Sequence, residues 1–293
     1  MLLAPPAPLP AREQFLAALI QIEKFSPAPV ILAKSLKLLR DPQSDIASIA
    51  ELVGSDSALA ADIIRCANSV FYGGSSSTSV AEAVQRIGSK ETVRLLNLTV
   101  ARIAGGRDLG CYGILGTDFW AECLYNGIFL QALATETGAA DPDEAYTVGL
   151  LRYIGRLAIN QTIENQRGGL YWDGGESIAG WERANTGFLQ AEAGMILLEK
   201  WRFHPEIVQA IAGQDAPDLL AEKNWLAEAL FFAASLLPQG LGSPFRAALL
   251  VTGATPRVGI DFMHRYGLTP EVTERLLQEA SVEFDRVRHE FGV

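Results

Sequence analysis

The sequence predicts an all-α protein, a multi-helix bundle with an N-terminal helical sub-domain. Apolar residues recur at intervals close to 3.6 along almost all of the 293 residues, and alternation with a period of two is scarce. Hydrophobic residues make up 49% of the chain and charged residues 20%, a composition that supports a packed core. Glycine, proline and helix-capping residues separate the periodic stretches. These observations favour many medium-length helices joined by turns.

Short helices are predicted through the N-terminal part of the chain. After a Pro-rich start at residues 1–10, a helix that begins near Val30 stops at Asp41-Pro42, because proline disfavours helix in the residue before it. Ser79-Val80-Ala81-Glu82 has capping-box spacing, in which the hydroxyl and the carboxylate each satisfy a backbone N–H at a helix start. The predicted helices of this part are residues 30–39, 45–54, 56–67, 79–87 and 91–103.

A glycine-rich segment, residues 105–116 with five glycines, is the best candidate for a boundary. Asp141-Pro142-Asp143-Glu144 then has the features of a helix start, with proline at the first helical position and acids in the first turn. We expect one continuous helix from there through Leu157. The other helices predicted after the boundary are 118–137, 177–184, 187–201, 205–213, 218–237 and 270–290, with an irregular loop at 168–175.

Composition excludes several classes of protein. The net charge is −10 and no run of five basic residues occurs, so we expect no nucleic-acid partner. The three cysteines, Cys66, Cys111 and Cys123, form no C-x-x-C motif, which indicates buried reduced thiols. The N-terminus lacks the basic segment and apolar core of a signal peptide, and no uncharged apolar run is long enough to span a bilayer. We therefore expect a cytoplasmic protein with no membrane partner.

None of the catalytic motifs considered is complete. Gly73-Gly74-Ser75-Ser76-Ser77 lacks the last glycine of a nucleophile elbow, and no G-x-x-x-x-G-K-[ST] sequence occurs. The three histidines, His204, His264 and His289, are too far apart to predict a metal centre, and His204 at a helix start is expected to be a surface group. We predict no catalytic residue, no metal and no cofactor.

One segment, residues 66–74, has a less ordinary composition. Polar Asn68 and Ser69 follow a predicted helix, and Phe71, Tyr72 and Gly73 come next, as at a helix end with an aromatic anchor. This segment, within the block IASIAELVGSDSALAADIIRCANSVFYG, resembles the HDOD family of bacterial regulatory output domains. The other blocks that carry the resemblance are residues 38–42, 79–98, 119–120, 144–160 and 190–217.

The resemblance implies a helical scaffold of the HD type, related to metal phosphohydrolases, whose catalytic residues are replaced. A metal-ligand histidine of such hydrolases matches Glu122, and the His-Asp pair matches Arg152-Tyr153. The later histidine positions match Gln190 and Gln214-Asp215. Two carboxylates without imidazole would hold a metal weakly, so we expect the hydrolase mechanism to be absent. The implied segments are a tail with a lead-in helix (1–25), two helical halves (26–107 and 108–217) and a C-terminal helical extension (218–293).

The replaced positions lead to a structural expectation. Because burying either charge alone is costly, we expect Glu122 and Arg152 to form an ion pair in place of the metal. Tyr153 shares a helical face with Leu150 and Leu157 and is expected to pack inward.

The function expected from the resemblance is that of a non-enzymatic regulatory module that binds signalling proteins. The contact surface is expected at Asn68, Ser69, Phe71, Tyr72 and Gly73 or in the C-terminal extension. One alternative is a sensor that binds a nucleotide or small anion through arginines of the old active site, Arg152 and Arg156. Another is a residual phosphohydrolase. The identity of the partner and the oligomeric state stay open.

Overall fold

Helices form the regular structure of the computed structural model. It describes residues 12–22, 46–54, 63, 66–67, 69–72, 80–95, 108–166, 169–200, 203–236 and 256–291, and in these ranges the β structure consists of one isolated bridge, Leu109 to Ile114. The predicted all-α class is confirmed. The helices are α1 (Arg12–Ile20), α2 (Ile46–Gly54), α3 (Val80–Ile87), α4 (Gly116–Thr137), α5 (Pro142–Leu151), α6 (Ile154–Asn165), α7 (Ile178–Thr186), α8 (Gln190–Lys200), α9 (Pro205–Gly213), α10 (Trp225–Leu236), α11 (Pro256–Arg265) and α12 (Pro270–Phe291).

The chain divides into two compact units. The smaller unit is Lys24–Ala104, in which α2 packs against α3 and residues 89–95 are also helical. The larger unit combines Met1–Glu23 with Gly105–Val293. The division therefore falls at the start of the glycine-rich segment, and the helices after residue 217 belong to the same unit as those before it.

Helix α4 is central to the larger unit. Its residues 122–130 are all buried, because α5, α10 and α12 pack around it. On the α12 side, the Tyr125 hydroxyl donates to the Leu277 carbonyl at 3.2 Å, and the Tyr125 and Phe284 rings meet edge to face at 5.7 Å. The buried middle of α4 therefore fixes the positions of the side chains that it points into the interior.

Helix α1 packs against α6 and α8, which lie far from it in sequence. Phe15 is 1% exposed and its ring lies 6.2 Å from that of Phe188. The Arg12 guanidinium lies over the same Phe188 ring at 4.5 Å, and the Lys200 ammonium donates to the carbonyl oxygens of Ile20 and Ile22 at the end of α1. The lead-in helix is thus an integral part of the larger unit.

Glycine allows two helix pairs to approach closely. A Cβ on Gly149 of α5 would lie 2.5 Å from the Asn126 carbonyl oxygen of α4. A Cβ on Gly155 of α6 would lie 1.8 Å from the Gln190 carbonyl oxygen of α8. Because both obstacles are backbone atoms, neither is able to rotate away, and the turn between α5 and α6 is held against both partners.

Several predicted boundaries change in the structure. The prediction of one continuous helix from residue 142 to Leu157 is wrong, because the chain forms two helices separated by a turn at Arg152-Tyr153. Helix α10 starts at Trp225, later than predicted, because Asn224 caps it by accepting from the Ala227 N–H at 3.0 Å. Helix α11 was not predicted. The helix expected at 30–39, most of that at 56–67 and the end of that at 91–103 lie outside the described residues.

The close approach of α6 and α8 gives a stability prediction. We expect Gly155→Ala to lower the free energy of unfolding by about 1–3 kcal/mol, because the added methyl group overlaps the Gln190 backbone. Urea unfolding followed by circular dichroism measures the change. Gly110→Ala is the matched control, since the nearest atom to its new Cβ is Glu164 Oε1 at 3.9 Å. Equal unfolding midpoints for the two variants would contradict the close approach.

Candidate functional site

A cluster of buried polar side chains surrounds the turn between α5 and α6. Its members come from helices α4, α6, α7 and α8, from the turn itself and from the end of α9, and each exposes 4% or less of its surface. Burial of this many polar groups in an apolar core requires hydrogen-bond partners for each of them. We call the set the polar cluster: Glu122, Asn126, Arg152, Arg156, Glu182, Gln190 and Gln214.

Arg152 is bonded to the amide of Asn126. The Arg152 Nη1 donates to Asn126 Oδ1 at 2.6 Å, and Asn126 Nδ2 donates to the Glu122 carbonyl one turn earlier in α4 at 2.7 Å. Gln214, at the end of α9, donates from Nε2 to the Arg152 carbonyl at 3.1 Å and to the Ile211 carbonyl at 2.9 Å. These bonds tie the α5–α6 turn to α4 and α9.

The expected ion pair between Glu122 and Arg152 is not formed within the described residues. Asn126 takes the place that the prediction gave to the carboxylate: it lies four residues after Glu122, on the same face of α4, and its side-chain oxygen reaches Arg152 Nη1. A neutral amide oxygen thus accepts from the buried guanidinium at this position.

Arg156 forms the second part of the cluster. Its Nε lies 3.3 Å from Glu182 Oε1, and both side chains are at least 95% buried. The same carboxylate oxygen accepts from the Tyr112 hydroxyl at 3.1 Å, and Glu182 Oε2 accepts from the Gln190 N–H at 2.8 Å. Glu182 thereby fixes the positions of the Arg156 guanidinium, the Tyr112 hydroxyl and the first turn of α8.

The titration of these groups follows from burial and from their neighbours. Burial raises the pKa of Glu182, and Arg156, the Gln190 amide and the Tyr112 hydroxyl oppose that rise. Burial alone lowers the pKa of Arg156, but Glu182, Tyr153 and Tyr112 outweigh that effect. The pKa of Arg156 is therefore raised above its ordinary value, and the guanidinium stays charged. Burial and Glu182 together raise the pKa of Tyr112, which therefore remains a hydrogen-bond donor.

Tyr153 contacts both arginines. The Arg152 and Arg156 Cζ atoms lie 5.1 and 4.9 Å from the centre of its ring, within the range of a cation–π contact. Its side chain is 2% exposed, which confirms the predicted inward packing. Burial raises the pKa of Tyr153 to about 12 although both arginines lower it. Both guanidinium groups therefore contact the same aromatic ring.

Asp215 lies at the solvent edge of the cluster. Although Asp215 is exposed, its carboxyl lies close enough to packed protein for desolvation to raise its pKa, while Arg152 and Arg156 lower it. The positive charges of both guanidinium groups therefore influence the titration of the Asp215 carboxyl.

The structure brings most of the sequence-predicted positions together. Glu122, Arg152, Gln190 and Gln214 are in the polar cluster, Tyr153 packs against its arginines, and Asp215 lies at its edge. Sequence reasoning missed Asn126, Glu182 and Tyr112. Asn126 could have been found as the residue one turn after Glu122, whereas Glu182 and Tyr112 meet only through tertiary packing.

Cys111 and Cys123 are buried free thiols. Burial raises the pKa of the Cys111 and Cys123 thiols, so neither is a thiolate near neutral pH. The Cys111 N–H instead donates to Asn160 Oδ1 at 3.0 Å, and the Cys111 carbonyl accepts from the Trp172 N–H at 2.7 Å. These bonds hold the loop that places Tyr112 beside Glu182.

An exposed group of metal-ligand types lies elsewhere in the larger unit. Ligand atoms of Glu144, His204 and Glu206 lie within 4.8 Å of one another. The sequence did not predict this group, because Glu144 and His204 are 60 positions apart. Both glutamates lie in the first turns of helices, where the helix dipole already favours carboxylates, so the group alone does not establish a metal site.

The predicted interaction segment is described over Ser69–Tyr72, and Asn68 and Gly73 lie outside the described residues. Val70–Tyr72 form a single 3-10 turn, closed by the Tyr72 N–H donating to the Ser69 carbonyl at 3.1 Å. The Phe71 ring is 71% exposed and meets the Tyr72 ring edge to face at 4.9 Å. The turn thus presents a large apolar side chain to solvent.

Comparison with known proteins gives one family match and several similar structures. The model of the HDOD domain matches residues 26–217. An uncharacterised protein of Treponema pallidum is 27% identical over 139 residues, which are 47% of this chain and 26% of that protein, so the chain spans about a quarter of its length.

The solved structures share the fold at low sequence identity. An HDOD domain protein of unknown function from Geobacter sulfurreducens has a TM-score of 0.66 and 17% identity, covering 97% of this chain and 100% of that one. A protein of Marinobacter aquaeolei, provisionally named a signal transduction protein, has a TM-score of 0.67 and 20% identity over 96% of this chain and 65% of that one. A provisionally named phosphohydrolase of Shewanella amazonensis has a TM-score of 0.53 and 24% identity, covering 89% of this chain and 98% of that one. Across the described ranges, no helix combines the length and apolar character that crossing a bilayer requires.

The ion pair between Arg156 and Glu182 gives a second stability prediction. We expect Glu182→Ala to lower the free energy of unfolding by about 3–5 kcal/mol, because it leaves a buried guanidinium without its carboxylate. Glu182→Gln, which keeps an acceptor oxygen, should lie between this variant and the wild type. Chemical denaturation measures both. Glu279→Ala, which removes an exposed partner of Arg275, is the control and should change little. A similar loss in both alanine variants would contradict the role of Glu182.

Proposed function

This chain belongs to the HDOD family, and from that premise we propose that it is a non-catalytic regulatory module that acts by binding another protein. The provisional name of the Marinobacter aquaeolei protein, signal transduction, supports the regulatory part. The provisional name of the Shewanella amazonensis protein, phosphohydrolase, marks the alternative that the experiments must exclude.

The observation that carries the non-catalytic part is the charge at the replaced metal positions. Two buried guanidinium groups, those of Arg152 and Arg156, face the ring of Tyr153 there. A divalent cation placed beside them would be repelled, and the neutral amides of the cluster offer weak ligands. None of the three histidines of the sequence is in the cluster. This donor set does not fit the metal centre of an HD-type hydrolase, so we derive no metal-dependent step.

The exposed ring of Phe71 supports the protein-binding part. Aromatic side chains carry much of the binding energy of protein interfaces when a partner buries them. A 3-10 turn holds the Phe71 and Tyr72 rings together, so part of the contact surface is ordered before binding. We place the contact surface at this turn, in the smaller unit.

A metal and activity assay tests the non-catalytic part. After incubation with Mn²⁺, Mg²⁺ or Fe²⁺ and gel filtration, we expect less than stoichiometric metal and no hydrolysis of bis-p-nitrophenyl phosphate or cyclic dinucleotides. An active HD-type phosphohydrolase assayed in parallel is the positive control. Metal-dependent turnover that disappears in Glu122→Gln and Asp215→Asn would overturn the proposal, because these positions match the ligands of the hydrolases.

A matched pair of aromatic variants tests the contact surface. A partner is first identified by affinity capture and mass spectrometry, then purified for calorimetry. We expect Phe71→Ser to weaken its binding about tenfold or more, because the ring supplies buried apolar area in the complex. Tyr171→Ser is the control, since Tyr171 is similarly exposed, at 69%, but lies in the larger unit. Unchanged affinity for Phe71→Ser, with the fold intact by circular dichroism, would exclude this turn as the contact surface.

A further inference from the structure

The group formed by Glu144, His204 and Glu206 lies where two helices of the larger unit start. One ligand atom from each side chain lies within 4.8 Å of the other two. Glu144 is in the first turn of α5, whereas His204 and Glu206 flank Pro205 at the start of α9. Glu144 is half-buried and the other two residues are exposed, so an ion reaches the group from solvent without opening the core.

Helix dipoles do not explain how the group is composed. A dipole favours each carboxylate at the start of its own helix, but it does not bring carboxylates of two helices together. Carboxylates this close repel each other, and Asp141 adds another at the start of α5, where its Oδ1 accepts from the Glu144 N–H at 3.0 Å. His204 occupies the N-cap of α9 but forms no side-chain cap bond, so capping does not explain the imidazole. A cation bound by the group accounts for both features.

The packing of α5 against α9 fixes the backbones that carry the ligands. At the far ends of these helices, Gln214 Nε2 donates to the Arg152 carbonyl at 3.1 Å. Arg152 follows Glu144 by eight residues and Gln214 follows Glu206 by eight, so the two helices run side by side in the same direction. The start of α9 is also held, because the Glu206 carbonyl accepts from Asn224 Nδ2 at 3.0 Å. Side-chain rotation is therefore the motion left to close the group around an ion.

The ligand types select among ions. Oxygen ligands alone suit Mg²⁺ or Ca²⁺, whereas an imidazole favours transition metals, and Zn²⁺ accepts imidazole and carboxylate together. In a tetrahedron with metal–ligand bonds of about 2.0 Å, ligand atoms lie about 3.3 Å apart. The ligand atoms of the group lie within 4.8 Å, so each pair has to approach by at most roughly 1.5 Å, which the rotation of exposed side chains supplies.

We propose that Glu144, His204 and Glu206 bind one Zn²⁺ ion, which joins the starts of α5 and α9 and leaves its fourth position to water. The ion neutralises the facing carboxylates. The inference goes beyond the proposed protein-binding function, because it assigns a metal to the larger unit, whereas the proposed contact surface lies in the smaller one. Mg²⁺, Mn²⁺ and Fe²⁺ bind such ligands more weakly than Zn²⁺, so we expect this site to lose them during gel filtration.

Calorimetry of the full chain, stripped of metal with EDTA, tests the site with Zn²⁺ as the probe. We expect one equivalent of Zn²⁺ to bind, and His204→Ala and Glu206→Gln each to weaken that binding about tenfold or more, because each removes a ligand. His264→Ala and Glu222→Gln are the matched controls, since both residues are exposed in the same unit but lie outside the group. The controls should leave the Kd for Zn²⁺ unchanged.

Competition between ions tests the part of the imidazole. Mg²⁺ in hundredfold excess over Zn²⁺ should not displace it, because Mg²⁺ takes oxygen ligands. Displacement at that excess would overturn the proposal, as would no Zn²⁺ binding by the wild type or an unchanged Kd in either ligand variant. Circular dichroism shows that each variant is folded, and if His204→Ala is not, Glu206→Gln decides the outcome.

Discussion

The burial of two guanidinium groups beside each other is the constraint on which the interior of the larger unit depends. The guanidinium groups of Arg152 and Arg156 lie 5.1 and 4.9 Å from the centre of the Tyr153 ring, and both are removed from solvent. Each therefore needs polar partners from elsewhere in the chain. Asn126 comes from α4, Glu182 from α7, and Gln214 fixes the backbone of the turn from the end of α9. The hydrogen bonds that these two buried charges require therefore fix the relative positions of α4, α6, α7 and α9.

Close helix packing makes this arrangement of partners possible. Gly149 brings α5 onto the backbone of α4 where Asn126 lies, and Gly155 brings α6 onto the backbone of α8 at Gln190. The turn at Arg152-Tyr153 lies between these two glycines in the sequence and changes the direction of the chain from α5 to α6. A larger residue at either position would separate the arginines from their partners, so the glycines and the polar cluster depend on each other.

The sequence predicted what depends on local patterns and failed where tertiary contacts decide. The period of the apolar residues was sufficient for the all-α class, and the start of α9 followed from Pro205. The break at Arg152-Tyr153 could not be predicted, because the apolar pattern continues across it and the turn is stabilised by bonds from α4 and α9. The replacement of Glu122 by Asn126 as the partner of Arg152 has the same cause. The resemblance named positions that the fold brings together, but the pairing among them depends on side-chain reach in three dimensions.

The position of α1 has a consequence for how the protein matures during synthesis. The hydrogen bond from Lys200 to the Ile20 carbonyl joins residues 180 positions apart, and within the described ranges α1 packs against α6 and α8, which are both synthesised later. At about 5–20 residues per second, a ribosome needs roughly 10–40 s to supply those partners. During that interval the apolar side of α1, with Phe15 and Leu19, has no native surface to cover it. The nascent chain therefore exposes these apolar side chains for tens of seconds before their native contacts can form.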